Sequence, residues 1–191
     1  DETYFRSKTN LLACFLERGH EISTSRGKVG AIVSRTGFYL STLDEFRQET
    51  LLKSSRLECH VDLGSKVLDA TVEVACSIFS KENDILPCTP FIRLLTDQEK
   101  ESTLLEEISK LNIGGKGSKT FLIEQSQLLA LNGSPFVYWI NSHIASTLSS
   151  FKELDPEAAS IRVGLQTGAD FRFLRLWWEV SEDSIAVIRG D

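Results

Sequence analysis

Methionine is absent from all 191 residues, and cysteine and proline are scarce, at four each. Cys14, Cys59, Cys76 and Cys88 form no C-x-x-C pair and fall mostly in apolar stretches. A disulfide framework is therefore not expected, and they read as reduced, buried thiols of a cytosolic protein. Positive charge is in deficit: 21 Lys and Arg against 27 Asp and Glu leave a net charge of −6. That excludes a chain that binds nucleic acid over its whole surface, so any DNA contact must be local. Long apolar runs are missing as well. Segments such as Phe136–Ile140 and Ala186–Ile188 fall far below the ~18 to 20 residues that cross a bilayer, and no charged-then-apolar leader opens the chain. No membrane partner is expected, and the expected compartment is the cytoplasm.

The inventory of chemistry is equally thin. The three histidines, His20, His60 and His143, lie far apart, and Cys59-His60 has no second pair at finger-like spacing, so a zinc site has little support. Each histidine reads as a helix-face or strand-end residue. No G-x-S-x-G elbow is present. The lack of Met, with a start at Asp1, is read as a fragment, a trimmed chain, or a sequence written without modified methionines.

What is present is an ordinary globular composition, 41% hydrophobic and 25% charged, in a chain long enough for one domain or two small ones without staples. Asn10 to Ile22 carries Leu11, Leu12, Phe15, Leu16 and His20 at helical spacing, and Lys28 to Ser34 is a short apolar strand. Ser41 or Thr42 is placed to cap a helix through Leu52. Leu57 to Leu63, ending in Gly64, and Ala70 to Phe79 are β-rich runs. This order predicts an α/β fold and looks like the later half of a doubly wound sheet.

Beyond Glu82 the pattern predicts a strand at Pro90–Leu95, a charged helix from Asp97 to Leu111 that buries little, and a flexible linker at Gly114–Lys119. That linker does not fit the spacing of a phosphate loop. A short strand after Phe121 and a helix near Asn141–Ser150 follow. Asp62 sits where a strand runs out at the carboxyl edge of a sheet, the place where α/β proteins hold ligand-binding groups. A carboxylate facing a loop amide is the alternative.

The most distinctive stretch is Val163-Gly-Leu-Gln-Thr-Gly-Ala-Asp-Phe-Arg-Phe-Leu-Arg-Leu-Trp-Trp-Glu-Val180. Two glycines bracket Gln166 and Thr167, which lets backbone amides approach a phosphate closely. Arg172 and Arg175 offer bidentate contacts, and Trp177 and Trp178 offer stacking faces. The other reading of the same residues is an apolar core of Phe171, Phe173, Leu174 and Leu176 with solvated arginines.

This tail resembles a signature of the large adenine-specific DNA methyltransferases of phage-defence systems of the BREX, or phage growth limitation, type. They are relatives of the type IIG and IIL restriction-modification enzymes. Lys8-Thr-Asn-Leu11 through Phe15-Leu-Glu-Arg18 and Gly27-Lys-Val-Gly-Ala-Ile-Val-Ser34 resemble the helix and strand after the catalytic loop of the same enzymes. Asp62-Leu-Gly64 and Ala70-Thr-Val-Glu-Val-Ala-Cys-Ser-Ile-Phe79 resemble the next two strands.

The resemblance implies the later half of a Rossmann-like methyltransferase sheet followed by a smaller α+β region. Residues 1–82 would finish the methyltransferase domain, 83–120 would link, and 121–191 would begin target recognition. It also implies S-adenosylmethionine as the parent's cofactor, double-stranded DNA as its partner and methyl transfer to adenine N6 after base flipping. Other defence-system proteins are further partners. Gln166, Thr167, Arg172, Arg175, Trp177 and Trp178 would contact DNA, and Ser34, Arg35 and Thr36 would lie at the mouth of the active site.

The glycine-rich cofactor turn and the Asn-Pro-Pro-Tyr loop of the family are not in the chain, where no Asn precedes Pro. No catalytic residue is therefore assigned, and the piece alone is expected to be inactive and to self-associate through its exposed sheet edge. The competing expectation is a non-catalytic DNA- or protein-binding subunit of such a system.

Overall fold

A computed structural model describes residues 10–69, 71–81, 88–151, 159–160, 168–181 and 183. The chain divides into two units, Asp1–Phe151 and Lys152–Asp191. In the first, α1 (Leu11–Ile22), β1 (Lys28–Ser34), β2 (Arg56–Gly64), β3 (Val74–Ser80), β4 (Thr89–Arg93), α2 (Lys100–Asn112), β5 (Thr120–Ile123), α3 (Gln125–Leu129) and α4 (Ser142–Ser150) follow in order. Between β1 and β2 lie two 3₁₀ turns, Arg35–Phe38 and Ser41–Leu43, and a π-helix, Phe46–Lys53.

The architecture is α/β, with an open five-stranded sheet ordered β1-β3-β2-β4-β5. Three pairings are antiparallel and β2 with β4 is parallel. Since β3 runs against both β1 and β2, these two run the same way. The carboxyl ends of β1, β2 and β4 therefore share one edge of the sheet.

Local chemistry accounts for the elements. The Asn10 side chain accepts from the Leu12 amide at 3.0 Å and caps α1. In β1 every second residue faces inward, Ala31 and Val33 packing on the main core. That core gathers Phe38, Phe46, Phe91, Phe136 and Tyr138 on one face of the sheet, with Ala13 and Leu16 from α1. Deleting one of these rings costs about 3–5 kcal/mol. Gln125 ties three chain segments to it: Oε1 accepts from Leu57 N at 2.9 Å, and Nε2 donates to the carbonyls of Ser55 and Leu52.

The second helix departs from expectation. Ser41 and Thr42 make no capping hydrogen bond, and Phe46–Lys53 winds as a π-helix closed by Ser54 N to Glu49 O. The wider turn lets Phe46, Arg47, Thr50, Leu51 and Leu52 all be buried.

Residues 83–120, expected as a linker with a charged helix, hold β4, which joins the same sheet, and α2, which packs on it. As expected, α2 buries little: Glu107 is its one buried residue, and Leu104 and Leu111 pack partly buried against Val61, Leu63, Ile92 and Leu94 on the other sheet face. The stretch after it is not a plain linker. Glu107, 2% exposed, accepts from Lys119 N at 3.2 Å and Thr120 Oγ1 at 2.7 Å. A Cβ at Gly117 would run into that carboxylate, so a larger residue there would displace the Glu107 side chain. All four cysteines are free thiols, but Cys88 is exposed and the others only half-buried, which corrects the expectation of buried thiols.

His60 is a further correction: it lies in the core rather than at a strand end. Its Nδ1 is 2.8 Å from Ser77 Oγ, its Nε2 has no hydrogen-bond partner, and the rings of Phe38, Phe91, Phe136 and Tyr138 surround it. Burial, aided by the Arg35 charge and opposed by Asp62, lowers its pKa from 6.5 to about 4. Between these two values the unfolded chain binds the proton and the folded chain does not, so stability falls as pH drops from 6.5 to 4. The His60→Leu variant is expected to lack that component, worth roughly 3 kcal/mol. Urea unfolding of both proteins across this pH range checks it, and parallel stability curves would refute it.

Candidate functional site

The carboxyl edge shared by β1, β2 and β4 is organised around Asp62, which is fully buried near the end of β2. A buried carboxylate must be paired, and this one takes three partners from distant segments. Arg35, just past β1, donates Nε–H to Oδ1 at 2.6 Å; Tyr138 donates its hydroxyl to Oδ2 at 2.8 Å; Tyr39 donates to the same oxygen at 3.5 Å. The single Tyr39 hydroxyl proton is shared between Asp62 Oδ2 and Phe136 O, the nearer acceptor at 3.2 Å, and Arg35 reaches Glu73 at 3.2 Å. Asp62 is therefore neither an open ligand group nor a partner of a loop amide. Its register partners are Ala75 on β3 and Arg93 on β4.

The electrostatics follow from this arrangement. Burial and then the Asp62 charge raise the pKa of both Tyr39 and Tyr138, partly offset by Arg35 at the first and Arg93 at the second. Both phenols remain protonated donors at neutral pH. Burial, the largest single influence, would lower the Arg35 pKa, but the hydrogen bond to Asp62 together with the electrostatic effects of Tyr39, Asp62 and Glu73 raises it.

A second buried ion holds the frame. Arg47, 1% exposed, donates to the carbonyls of Gly133 at 2.7 and 3.0 Å, of Leu40 at 2.6 Å and of Gly37 at 3.3 Å. It thereby joins the turn bearing Tyr39 to the loop bearing Tyr138. Its pKa is lowered by burial, against the Asp44 charge.

Around these anchors, two guanidinium groups flank a pair of aromatic rings. The Arg35 guanidinium lies 4.6 Å over the Tyr39 ring, Tyr39 and Trp139 are 6.0 Å apart, and the Arg93 guanidinium lies 5.2 Å over Trp139. A cavity of about 360 Å³ opens beside Arg35, lined also by Thr36, Tyr39, Leu40, Val72 and Glu73. Arg35 and Thr36, expected at an active-site mouth, thus share one cavity wall. Ser34 adjoins them, its hydroxyl 2.8 Å from that of Thr36.

Gly64, at the end of β2, has φ +71°, and a Cβ there would meet the Leu95 backbone at 3.1 Å. Its backbone is covered by protein and not open to a ligand. This is not the glycine turn that S-adenosylmethionine requires, and no part of that cofactor is placed on the described residues. Among them no cluster of three or more metal-ligating side chains occurs, and no helix is long and apolar enough to cross a membrane.

The second unit is described by itself. Arg172 lies on the short helix α5 (Asp170–Phe173), and the Arg175 guanidinium donates to the carbonyls of Phe171 at 2.6 Å and Leu174 at 2.9 Å. Trp177 and Trp178 fall on the 3₁₀ turn Trp177–Glu179, with Trp178 exposed. Phe171, Leu174 and Leu176 are exposed, so they do not form the core that the alternative reading of this stretch required. Gln166 and Thr167 lie outside the described residues. Sequence reasoning singled out Arg35 and Asp62 but missed Tyr39, Tyr138, Trp139 and Arg93, because spacing along the chain carries no signal of their meeting. Compared with known proteins, the chain matches no family model and no curated protein.

Removing the central acceptor tests this arrangement. Asp62→Ala strands a buried guanidinium contact and two phenols and is expected to lower the unfolding free energy by about 3–5 kcal/mol. Asp62→Asn keeps one acceptor oxygen and is expected to lose less. Urea unfolding at neutral pH checks both, and two variants indistinguishable from the parent chain would refute the central role of Asp62.

Proposed function

We propose that this chain is the closing part of the catalytic sheet, with the start of the target-recognition region, of a larger adenine-N6 DNA methyltransferase. It belongs with the enzymes of BREX, or phage growth limitation, systems and their restriction-modification relatives. The observation that carries the reading is topological. The three segments that resemble the family's strands are adjacent, with β1 and β2 running the same way and β3 returning between them. The sheet is mixed, with β2 and β4 paired in parallel and β3 and β5 antiparallel to their neighbours, and an antiparallel strand is a common addition to doubly wound folds.

Two further features support it. β1 is an edge of the five-stranded sheet, and Ile32 and Ile78 are exposed on the face away from the main core, as expected of a sheet continued by upstream strands. The edge that bears Arg35, Tyr39, Trp139 and Arg93 is the carboxyl edge, where open α/β sheets bind their ligands. Guanidinium groups and half-buried rings suit a nucleic-acid surface, in keeping with a contact that a net charge of −6 restricts to one locality.

In this reading the chain positions DNA and the parent's upstream residues transfer the methyl group. S-adenosylmethionine would be held by those upstream residues, and no step is assigned here through it. The test is methyl transfer by the native gene product, using methyl-labelled S-adenosylmethionine and duplex DNA. Label is expected in N6-methyladenine, and none when the 191-residue chain is used alone. A native product that transfers no label to adenine would overturn the reading.

A further inference from the structure

Arg93 closes β4 and is the register partner of Asp62, so both side chains leave the same face of the sheet. The Asp62 carboxylate is already taken by Arg35, Tyr39 and Tyr138. Arg93 has no ion pair among the described residues; its guanidinium rests on Trp139 at 5.2 Å. Stacked in that way, a guanidinium keeps its in-plane N–H donors available for an oxyanion. A cavity of about 250 Å³ adjoins it, lined by Arg93, Leu95, Thr96, Ser118, Lys119 and Phe121. Thr96 and Ser118 are exposed hydroxyl donors. Lys119 brings a second cation, held 3.0 Å from Asp97, and Lys116 lies 5.9 Å over the Phe121 ring.

The geometry points to this cavity as a binding site for a backbone phosphodiester of duplex DNA. Arg93 would take two phosphate oxygens, with hydroxyl donors from Ser118 and Thr96, beside Lys119 in its pair with Asp97. Duplex DNA is favoured over a small phosphate compound because the site continues the row of Arg35, Tyr39 and Trp139 and so belongs to an extended surface. The inference rests on the reading of the chain as part of a DNA methyltransferase. It deepens that reading by adding a DNA contact on residues 93–119, which the sequence resemblance does not cover.

The test measures anisotropy of a fluorescent 20-base-pair duplex with the full 191-residue chain across a salt series, using wild type, Arg93→Ala and Arg93→Lys. Arg93→Ala is expected to weaken binding about tenfold at low salt, equally for unrelated sequences, and to reduce the salt slope by about one. Arg93→Lys should restore most of that slope. Near-ultraviolet circular dichroism, sensitive to Trp139, shows whether the fold is kept; a variant that loses it is replaced by Ser118→Ala with Thr96→Val, expected to weaken binding without changing the slope. Inorganic phosphate that displaces the duplex at millimolar concentration would show a small-anion site and overturn the DNA assignment.

An Arg93→Ala slope equal to wild type, or no duplex binding by wild type at low salt, would overturn the site. These outcomes are separable from the enzymatic reading. A native product that methylates adenine with an unchanged Arg93→Ala slope loses only the site. One that does not methylate, while Arg93→Ala loses its unit of slope, loses only the enzyme.

Discussion

The buried carboxylate of Asp62 is the constraint on which the sheet's functional edge depends. An ionised carboxylate without solvent costs several kcal/mol unless hydrogen-bonded on both oxygens. Here the donors come from the turn after β1 and from the loop after α3, far apart in sequence. Satisfying one atom pair thus fixes the relative placement of three chain segments. Arg47 applies the same logic with the opposite charge, gathering carbonyls of Gly37, Leu40 and Gly133 and holding the two aromatic-bearing segments together. Each ion is too costly to leave unpaired, which makes the local geometry nearly all-or-none.

From that frame follows the character of the edge. Because Asp62 accepts from Tyr39 and Tyr138, their rings are held half-buried and buried with the hydroxyls turned inward, and Tyr39 presents a face to Arg35. Because Arg35 satisfies the carboxylate, Arg93 is left to stack on Trp139, with no ion pair among the described residues. An acidic protein can in this way carry a local strip of guanidinium groups and rings, with Arg35 paired to Asp62 and Glu73 and Arg93 without an ion pair among the described residues. The same edge holds both cavities that flank the strip, beside Arg35 and beside Arg93.

The elements that finish the sheet were legible in the sequence because they are local. Helical spacing over Asn10–Ile22, the short apolar run Lys28–Ser34, and β-rich runs ending at Gly64 and Phe79 each follow from side chains within a few residues. What escaped depends on distance. The π-helix Phe46–Lys53 buries Arg47 against the carbonyls of Gly37, Leu40 and Gly133, and Gly117 sits against the Glu107 carboxylate of the preceding helix. Asp62 was legible as a residue of interest at a strand end, but its partner Tyr138 is 76 positions away, and no spacing rule reaches that far. The aromatic tail drew notice for its residue types. Yet Arg175 spends donors on its own backbone carbonyls, and Gln166 and Thr167 lie outside the described residues.

The central claim, that the carboxyl edge built on Asp62 is the surface presented to DNA, is tested most directly by amide hydrogen exchange. The 191-residue chain would be compared with and without duplex DNA at low salt. The account predicts slowed exchange in residues 34–40, 93–96 and 118–121, with the outer face of α2 unchanged. Protection confined to α2, or no change anywhere in the first unit, would contradict it.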